Sequence, residues 1–182
     1  LVKSPDKLFE IYLTSVGRGS TLLLNVPPDR RGLIHEKDVA SLKGFRQKLD
    51  AAFHTDLALD ARVAESTFRG GSDDYQGENV TDGDSSTYWC TDDDVTTGFL
   101  EINLGTSTRI QYVVLREYIS LGQRIRKFNI EAWENGRWRA IGAGTTIGYK
   151  RIIPTGGVDT EKIRINILDA KASPVVSEVS VY

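Results

Sequence analysis

The spacing of apolar residues changes near residue 60, and that change limits the fold more than any other feature of this chain. Before it, Leu8, Ile11, Tyr12, Ser15 and Val16 follow the i, i+3, i+4 pattern of a helix face, as do Val39, Leu42, Phe45, Leu49, Ala52 and Phe53. After it the period falls toward two, in the runs FLEINL (99–104), IQYVVLRE (110–117), RKFNIEAW (126–133), RWRAIG (137–142), TTIGYKRI (145–152), EKIRINIL (161–168) and VVSEVSVY (175–182). A strand with period two buries one face, and seven short strands at close spacing predict a β-sandwich or jelly roll. LGTS, ENG and TGG are turn signals between the runs, and ENG between alternating segments predicts a hairpin.

In the first part Ser4 can cap a helix, Pro5 suits its first turn and Gly17 ends it. TLLLNV, 21–26, is an unalternating apolar run, which suits a strand covered on both faces as in parallel sheets. The first 53 residues therefore read helix, buried strand, helix. A lone parallel strand has no neighbour inside this segment, so the unit reads as cut from an α/β fold. The expected organisation is an α/β remnant over 1–53, a linker over 54–62 and a sandwich over 63–182. The sequence starts at Leu1 and has no methionine, which leads us to expect a piece of a longer protein.

With 23 basic and 25 acidic side chains the net charge is -2, so neither nucleic acid nor an anionic membrane is an expected partner. No apolar run approaches the roughly 20 residues of a membrane span. The single cysteine, Cys90, cannot form an internal disulfide and, beside Trp89, reads as a small buried apolar residue. The two histidines, His35 and His54, lie outside the sandwich, so GDSS (83–86) has no general base for nucleophilic chemistry.

TDGDSSTYW, LEINLG, NIEAWENGRW and SEVSVY resemble the discoidin, or coagulation factor 5/8 type C, sandwich, a fold shared with family 32 carbohydrate-binding modules. GRGSTLLLNVPPDRRGLI resembles the closing strand and loop of the barrel in α-L-fucosidases of glycoside hydrolase family 29, and REYISLGQRIRKFNIEAW and GTTIGYKRI resemble the C-terminal domain that follows it. The resemblance implies a mainly β chain, a discoidin-like jelly-roll β-sandwich preceded by the last helix-strand-helix piece of a (β/α)8 barrel. Asn25, Pro27, Asp29, Arg30 and Arg31 match the barrel motif, where they would shape its last loop. A whole barrel takes about 250 residues, and a retaining glycosidase needs two carboxylates in an enclosed cleft. The family's nucleophile comes from an earlier barrel strand with no counterpart here, so the chain is expected to be inactive alone. Its expected partner is the upstream catalytic barrel of the same polypeptide, in an extracytoplasmic setting. The implied role is to stabilise that barrel and bind glycans of a fucosylated substrate; the alternatives are a purely structural domain and a free-standing lectin or adhesion domain.

By the same resemblance NVTDGDSSTYW (79–89) is a structural calcium loop. The Asn79 carbonyl, an Asp82 carboxylate oxygen, the Asp84 carbonyl and the carbonyl and hydroxyl of Thr87 would point inward. Gly83 would allow the tight turn, and the Ser177 carbonyl and Glu178 carboxylate would close the cage. Hard Ca²⁺ takes about six to eight such oxygens. An EF-hand started at Asp82 fails, since its sixth and twelfth positions are Thr87 and Asp93. The plain alternative is a solvated turn, because Asp-Gly and Ser-Ser are common turn chemistry. NVT is also a glycosylation sequon, but a backbone tucked around an ion would be a poor acceptor, and no glycan is expected there. For sugar contact, which needs an exposed aromatic face and hydrogen-bonding neighbours, the candidates are Arg69, Tyr75, Tyr118 and the acids Asp92 to Asp94. Trp89 and Trp138 are expected in the core, and Trp133, just before ENG, fits either role.

Overall fold

The computed structural model describes residues 2–182. Helix α1, Pro5–Ser15, begins where Ser4 Oγ accepts the Lys7 amide at 3.2 Å and ends in a turn closed by Gly19 at φ 81. Helix α2, Glu36–Ala52, is capped by His35 Nδ1, which accepts the Lys37 amide at 3.1 Å. Between them residues 21–26 form no strand, and Leu23 is 92% exposed. A bridge from Pro28 to Ile34 closes the loop after that run. The expected strand is corrected for the reason its sequence already contained: an extended run needs a ladder partner, and this segment supplies none.

The remaining strands are β1 (Arg62–Glu65), β2 (Trp89–Cys90), β3 (Gly98–Glu117), β4 (Ile125–Glu134), β5 (Arg137–Gly144), β6 (Arg151–Ala170) and β7 (Val175–Val181). Two of them, β3 and β6, are 20 residues long and run through both layers of the sandwich. The first half of β3 pairs with β1 and the second half of β6, which continues to β4 and β5. The second half of β3 pairs with the first half of β6 and with β7, which carries β2. All pairings are antiparallel.

The runs 99–104 and 110–117 are thus one strand, and LGTS and TGG mark a corner instead of a break. Register shifts between Asn103 and Thr108, where Gly105 stands at φ 82, and between Ile110 and Tyr112, opposite Gly156 and Gly157 at φ 77 and 81, let both strands bend from one layer to the other. ENG is the hairpin expected: Glu134 pairs with Arg137 across Asn135 and Gly136, both at positive φ. TTIGYKRI is corrected, since only its last two residues join a strand. Its earlier part is a loop pinned by Glu117, whose Oε2 accepts the Gly148 amide at 2.6 Å.

Along β4, Phe128, Ile130 and Ala132 point into the core, where they meet Leu100, Ile102, Ile163 and Ile165 from the same layer. Val113 and Leu115 of β3 with Val176, Val179 and Val181 of β7 supply the opposite wall. Trp89 is fully buried there, its indole N–H donating to the Thr67 carbonyl at 3.0 Å. Each such apolar side chain contributes about 1.5–3 kcal/mol by leaving water. Trp138 is corrected: it is half-buried on the outer side of the β4–β5 layer, edge-on to Trp133 at 5.1 Å and beneath the Arg164 guanidinium at 4.2 Å. Its ladder partner Trp133 lies one residue past inward-facing Ala132, which turns both indoles outward.

The helices cover the outer side of the β7 layer. Phe53 lies 5.2 Å from both Tyr112 and Tyr182, and Phe9 lies 6.2 Å from Tyr112. Gly17 allows the end of α1 to approach closely, for a Cβ there would sit 3.1 Å from Ile152 Cβ.

Candidate functional sites

The loop 79–87 is built around one hydroxyl. Thr87 Oγ1 lies 2.7 Å from Asp82 Oδ2, 2.8 Å from the Asp84 carbonyl and 3.3 Å from the Asn79 carbonyl. A hydroxyl carries one proton and cannot serve three acceptors at once, so oxygen lone pairs outnumber hydrogens in this pocket. That imbalance fits a hard cation, which needs converging carbonyl, carboxylate and hydroxyl oxygens. The Asp84 carboxylate is not among them, because Oδ1 accepts the Ser86 amide at 2.8 Å and the Ser86 hydroxyl at 2.7 Å. Those bonds hold its carboxyl below the ordinary range. Only its carbonyl faces Thr87.

Glu178 makes other contacts. On β7 it shares a face with Ser180 and Tyr182, opposite core-facing Val179 and Val181. Its carboxylate pairs with Arg116 at 2.8 Å, accepts the Ser180 hydroxyl at 2.8 Å and borders a hollow with Tyr12 and Phe53 beneath the helices. Its carboxylate is thus engaged with Arg116 and Ser180 on the helix side of β7. Ser177 is the residue that the β3–β7 ladder skips between Glu178 and Val176. The Asn79 side chain is buried and its amide nitrogen donates to the carbonyls of Asp74 (2.8 Å) and Tyr88 (3.2 Å), which leaves the sequon nitrogen inaccessible to a glycosyl donor.

At the loop end of the sandwich the structure brings together the expected sugar contacts Arg69, Tyr75 and Tyr118 with the acids Asp92 and Asp93. Tyr75 lies 5.6 Å from Tyr88, and Tyr88 stacks on Tyr118 at 4.5 Å with 18° between the rings. The Arg69 guanidinium carbon is 5.9 Å from the Tyr75 ring centre. Arg69 also binds Asp93 and reaches Ser173 Oγ at 3.2 Å, while Asp92 accepts the Gly70 amide at 2.8 Å. Arg124 donates to the carbonyl and hydroxyl of Ser173 at 2.9 and 3.1 Å. Burial and the neighbouring Tyr75 raise the Tyr88 phenol above its usual pKa, so it remains a neutral donor and acceptor. Asp94 is exposed beside this group, at φ 68.

This arrangement offers a half-buried aromatic wall edged by two guanidinium groups and two carboxylates, the chemistry that stacks on a pyranose and hydrogen-bonds its hydroxyls. Sequence reading missed Tyr88, Arg124 and Ser173. For Tyr88 the signal was present: with Trp89 turned inward, period two turns Tyr88 outward. Arg124 and Ser173 are 49 residues apart and meet only through the fold. Trp133 belongs elsewhere, at the far end of β4.

Among the described residues, no three His, Cys, Asp or Glu side chains form a metal-binding group, so any ion would rest largely on carbonyl and hydroxyl oxygens. No described helix is long and apolar enough to cross a membrane.

Comparison with known proteins agrees with this architecture. The alpha-L-fucosidase 1 of Arabidopsis thaliana is 31% identical over 99% of this chain, which spans 36% of that protein. A Ruminococcus gnavus GH29 fucosidase, solved in complex with fucose, is 35% identical and superposes with a TM-score of 0.90, over 99% of this chain and 37% of its own. Chitosan-binding module 1 of a Paenibacillus sp. IK-5 chitosanase/glucanase is 21% identical with a TM-score of 0.64, over 71% of this chain and 99% of its own, a likeness of fold alone. The chain spans little more than a third of the length of the curated relatives it matches. The F5/8 type C domain pattern matches residues 62–179, well over half of the sequence, and the chain belongs to that family.

Proposed function

We propose that the chain is the non-catalytic C-terminal portion of an α-L-fucosidase, and that its sandwich holds a glycan of the fucosylated substrate near the catalytic barrel. The observation that carries this is the Tyr88–Tyr118 stack, with Tyr75 tilted against it and Arg69 at the edge. A sugar ring would lay its C–H face on a tyrosine, while Arg69, Arg124, Asp92 and Asp93 exchange hydrogen bonds with its hydroxyls. Such a shallow site fits millimolar affinity, about -4 kcal/mol, which serves to raise local substrate concentration. Calorimetric titration with fucosylated oligosaccharides tests it: Tyr118→Ala should weaken binding about tenfold, a loss of about 1.4 kcal/mol. Silence at millimolar sugar would leave the sandwich a purely structural domain.

The helical layer supports the same parentage. Residues 22–26 with Leu8, Ile11 and Leu42 line an open hollow of about 570 Å³, which the rest of a barrel would cover. The chain itself should not hydrolyse an aryl fucoside, and turnover would overturn the non-catalytic assignment.

Calcium is proposed at Asn79, Asp82, Asp84 and Thr87, with a stabilising role: it would satisfy the oxygens that converge on the Thr87 hydroxyl, which keeps its proton, and tie the loop to the start of β2. A melting temperature unchanged between calcium and chelator, together with no metal by elemental analysis, would refute it.

A further inference from the structure

We propose a second hexose-binding subsite, built on Trp133 at the end of the sandwich opposite the tyrosine stack. It takes its ligand class from the carbohydrate reading above but shares no residue with it. Ile125, the first residue of β4, is held at the tyrosine end by Glu117, which accepts its amide at 2.8 Å. Trp133 is eight residues further on, about 26 Å along an extended strand. There a hollow of about 480 Å³ opens, lined by Trp133, Glu134, Arg139, Asp159, Thr160 and Glu161, among others. That volume falls within the range of small-molecule sites.

The aromatic platform is fixed before any ligand arrives. The Trp133 amide donates to Thr160 Oγ1 at 3.1 Å, and the same buried hydroxyl lies 2.9 Å from the Trp133 carbonyl. Trp138 braces the indole edge-on from the paired strand. Two Arg139 nitrogens hold Glu134, the second at 2.6 Å, so donor and acceptor stand side by side in one orientation. Arg109 holds Asp159 at 3.1 Å.

Charge selects the ligand. Among the described residues Glu134, Asp159 and Glu161 line the hollow against the single cation Arg139, and this acidic excess repels phosphate, sulfate and acidic sugars. The polar rim suits a molecule rich in hydroxyl donors, and the indole suits its apolar ring face. A neutral hexose has both. Binding at two ends would let one sandwich grip a branched or extended glycan, with avidity beyond either subsite.

The test follows the three indole N–H resonances of the 15N-labelled chain during titration with L-fucose, D-galactose and a fucosylated lactose. The Trp133 resonance should shift saturably at millimolar sugar while that of Trp89 stays fixed. Trp133→Ala should weaken binding at this end about tenfold. Glu134→Gln, which keeps the platform, should weaken it severalfold with an unchanged melting temperature. Tyr118→Ala should leave the Trp133 response intact. A silent Trp133 alongside binding at the tyrosine stack would overturn this subsite and leave the proposed function standing. Loss of the Trp133 response in Tyr118→Ala would also overturn it, and silence at both ends would remove both proposals.

Discussion

The sandwich and the helical layer before it are made of similar residues used in opposite ways. In the sandwich, Leu100, Ile102, Ile110, Leu115, Ile130, Ile163 and Ile165 are all at 0% exposure. In the helical layer the buried apolar side chains are Leu8 and Phe45, while Leu33 and Ile34 stand 59% and 48% exposed beside the still more open Leu23. The sandwich completes its own core and ladders. The helices complete one side, against Tyr112 and Tyr182, and leave the other open among the described residues. The first region can fold on its own account, whereas the second depends on what it touches.

Trp89→Ala should break the stronger side of this contrast. Removing a fully buried indole and its bond to Thr67 costs about 3–5 kcal/mol, to be measured by urea unfolding. Glu117→Ala should come next. Its buried carboxylate accepts the amides of Arg124, Ile125 and Gly148 at 2.7, 2.8 and 2.6 Å, so truncation leaves three donors unmatched. A loss of about 2–4 kcal/mol is expected, with faster hydrogen exchange at those amides. A loss below about 0.5 kcal/mol would mean that water replaces the carboxylate and that this end is not a closed unit.

Phe53→Ala should fall lower, at about 1–3 kcal/mol, because the ring is only half-buried although it meets Phe9, Tyr12, Tyr112 and Tyr182. Hydrogen exchange is the sharper readout. Amides of α1 and α2 should lose protection while those of β4 and β6 keep theirs. Equal loss in both regions would show that helices and sandwich unfold together, and the contrast would dissolve.

The legible parts of the fold were those whose physics is local. Alternation announced β4 and β5, and Asn135-Gly136 announced their turn. Helix caps and i, i+4 spacing placed α1 and α2. Local pattern failed where a distant partner decides. The glycines at 105, 156 and 157 look like turns in sequence, yet they ease a corner in two paired strands. Four-residue β1 and two-residue β2 are too short to show a period. Among site residues, Arg69, Tyr75 and Tyr118 were legible as polar or aromatic loop positions, and the topology then joined them. Glu178 was placed by resemblance, and its alternation with Val179 and Val181 already argued for the helix-facing side.

Leu23→Ser carries the smallest expected effect and bears most directly on the helical layer. The side chain is 92% exposed, so it gives almost no burial to the chain, and the substitution should change unfolding free energy by less than about 0.5 kcal/mol. It should also reduce binding of an apolar dye, since Leu23 is the most open large apolar residue on the hollow formed with Leu8, Ile11 and Leu42. In a longer protein whose added chain covers this face, the same substitution should cost about 1.5 kcal/mol or more, the value of a leucine moved from water into a core. If the short chain already loses that much, residues 21–26 are packed without help. The helical layer would then be as self-contained as the sandwich, and its apolar run would no longer argue for a missing neighbour.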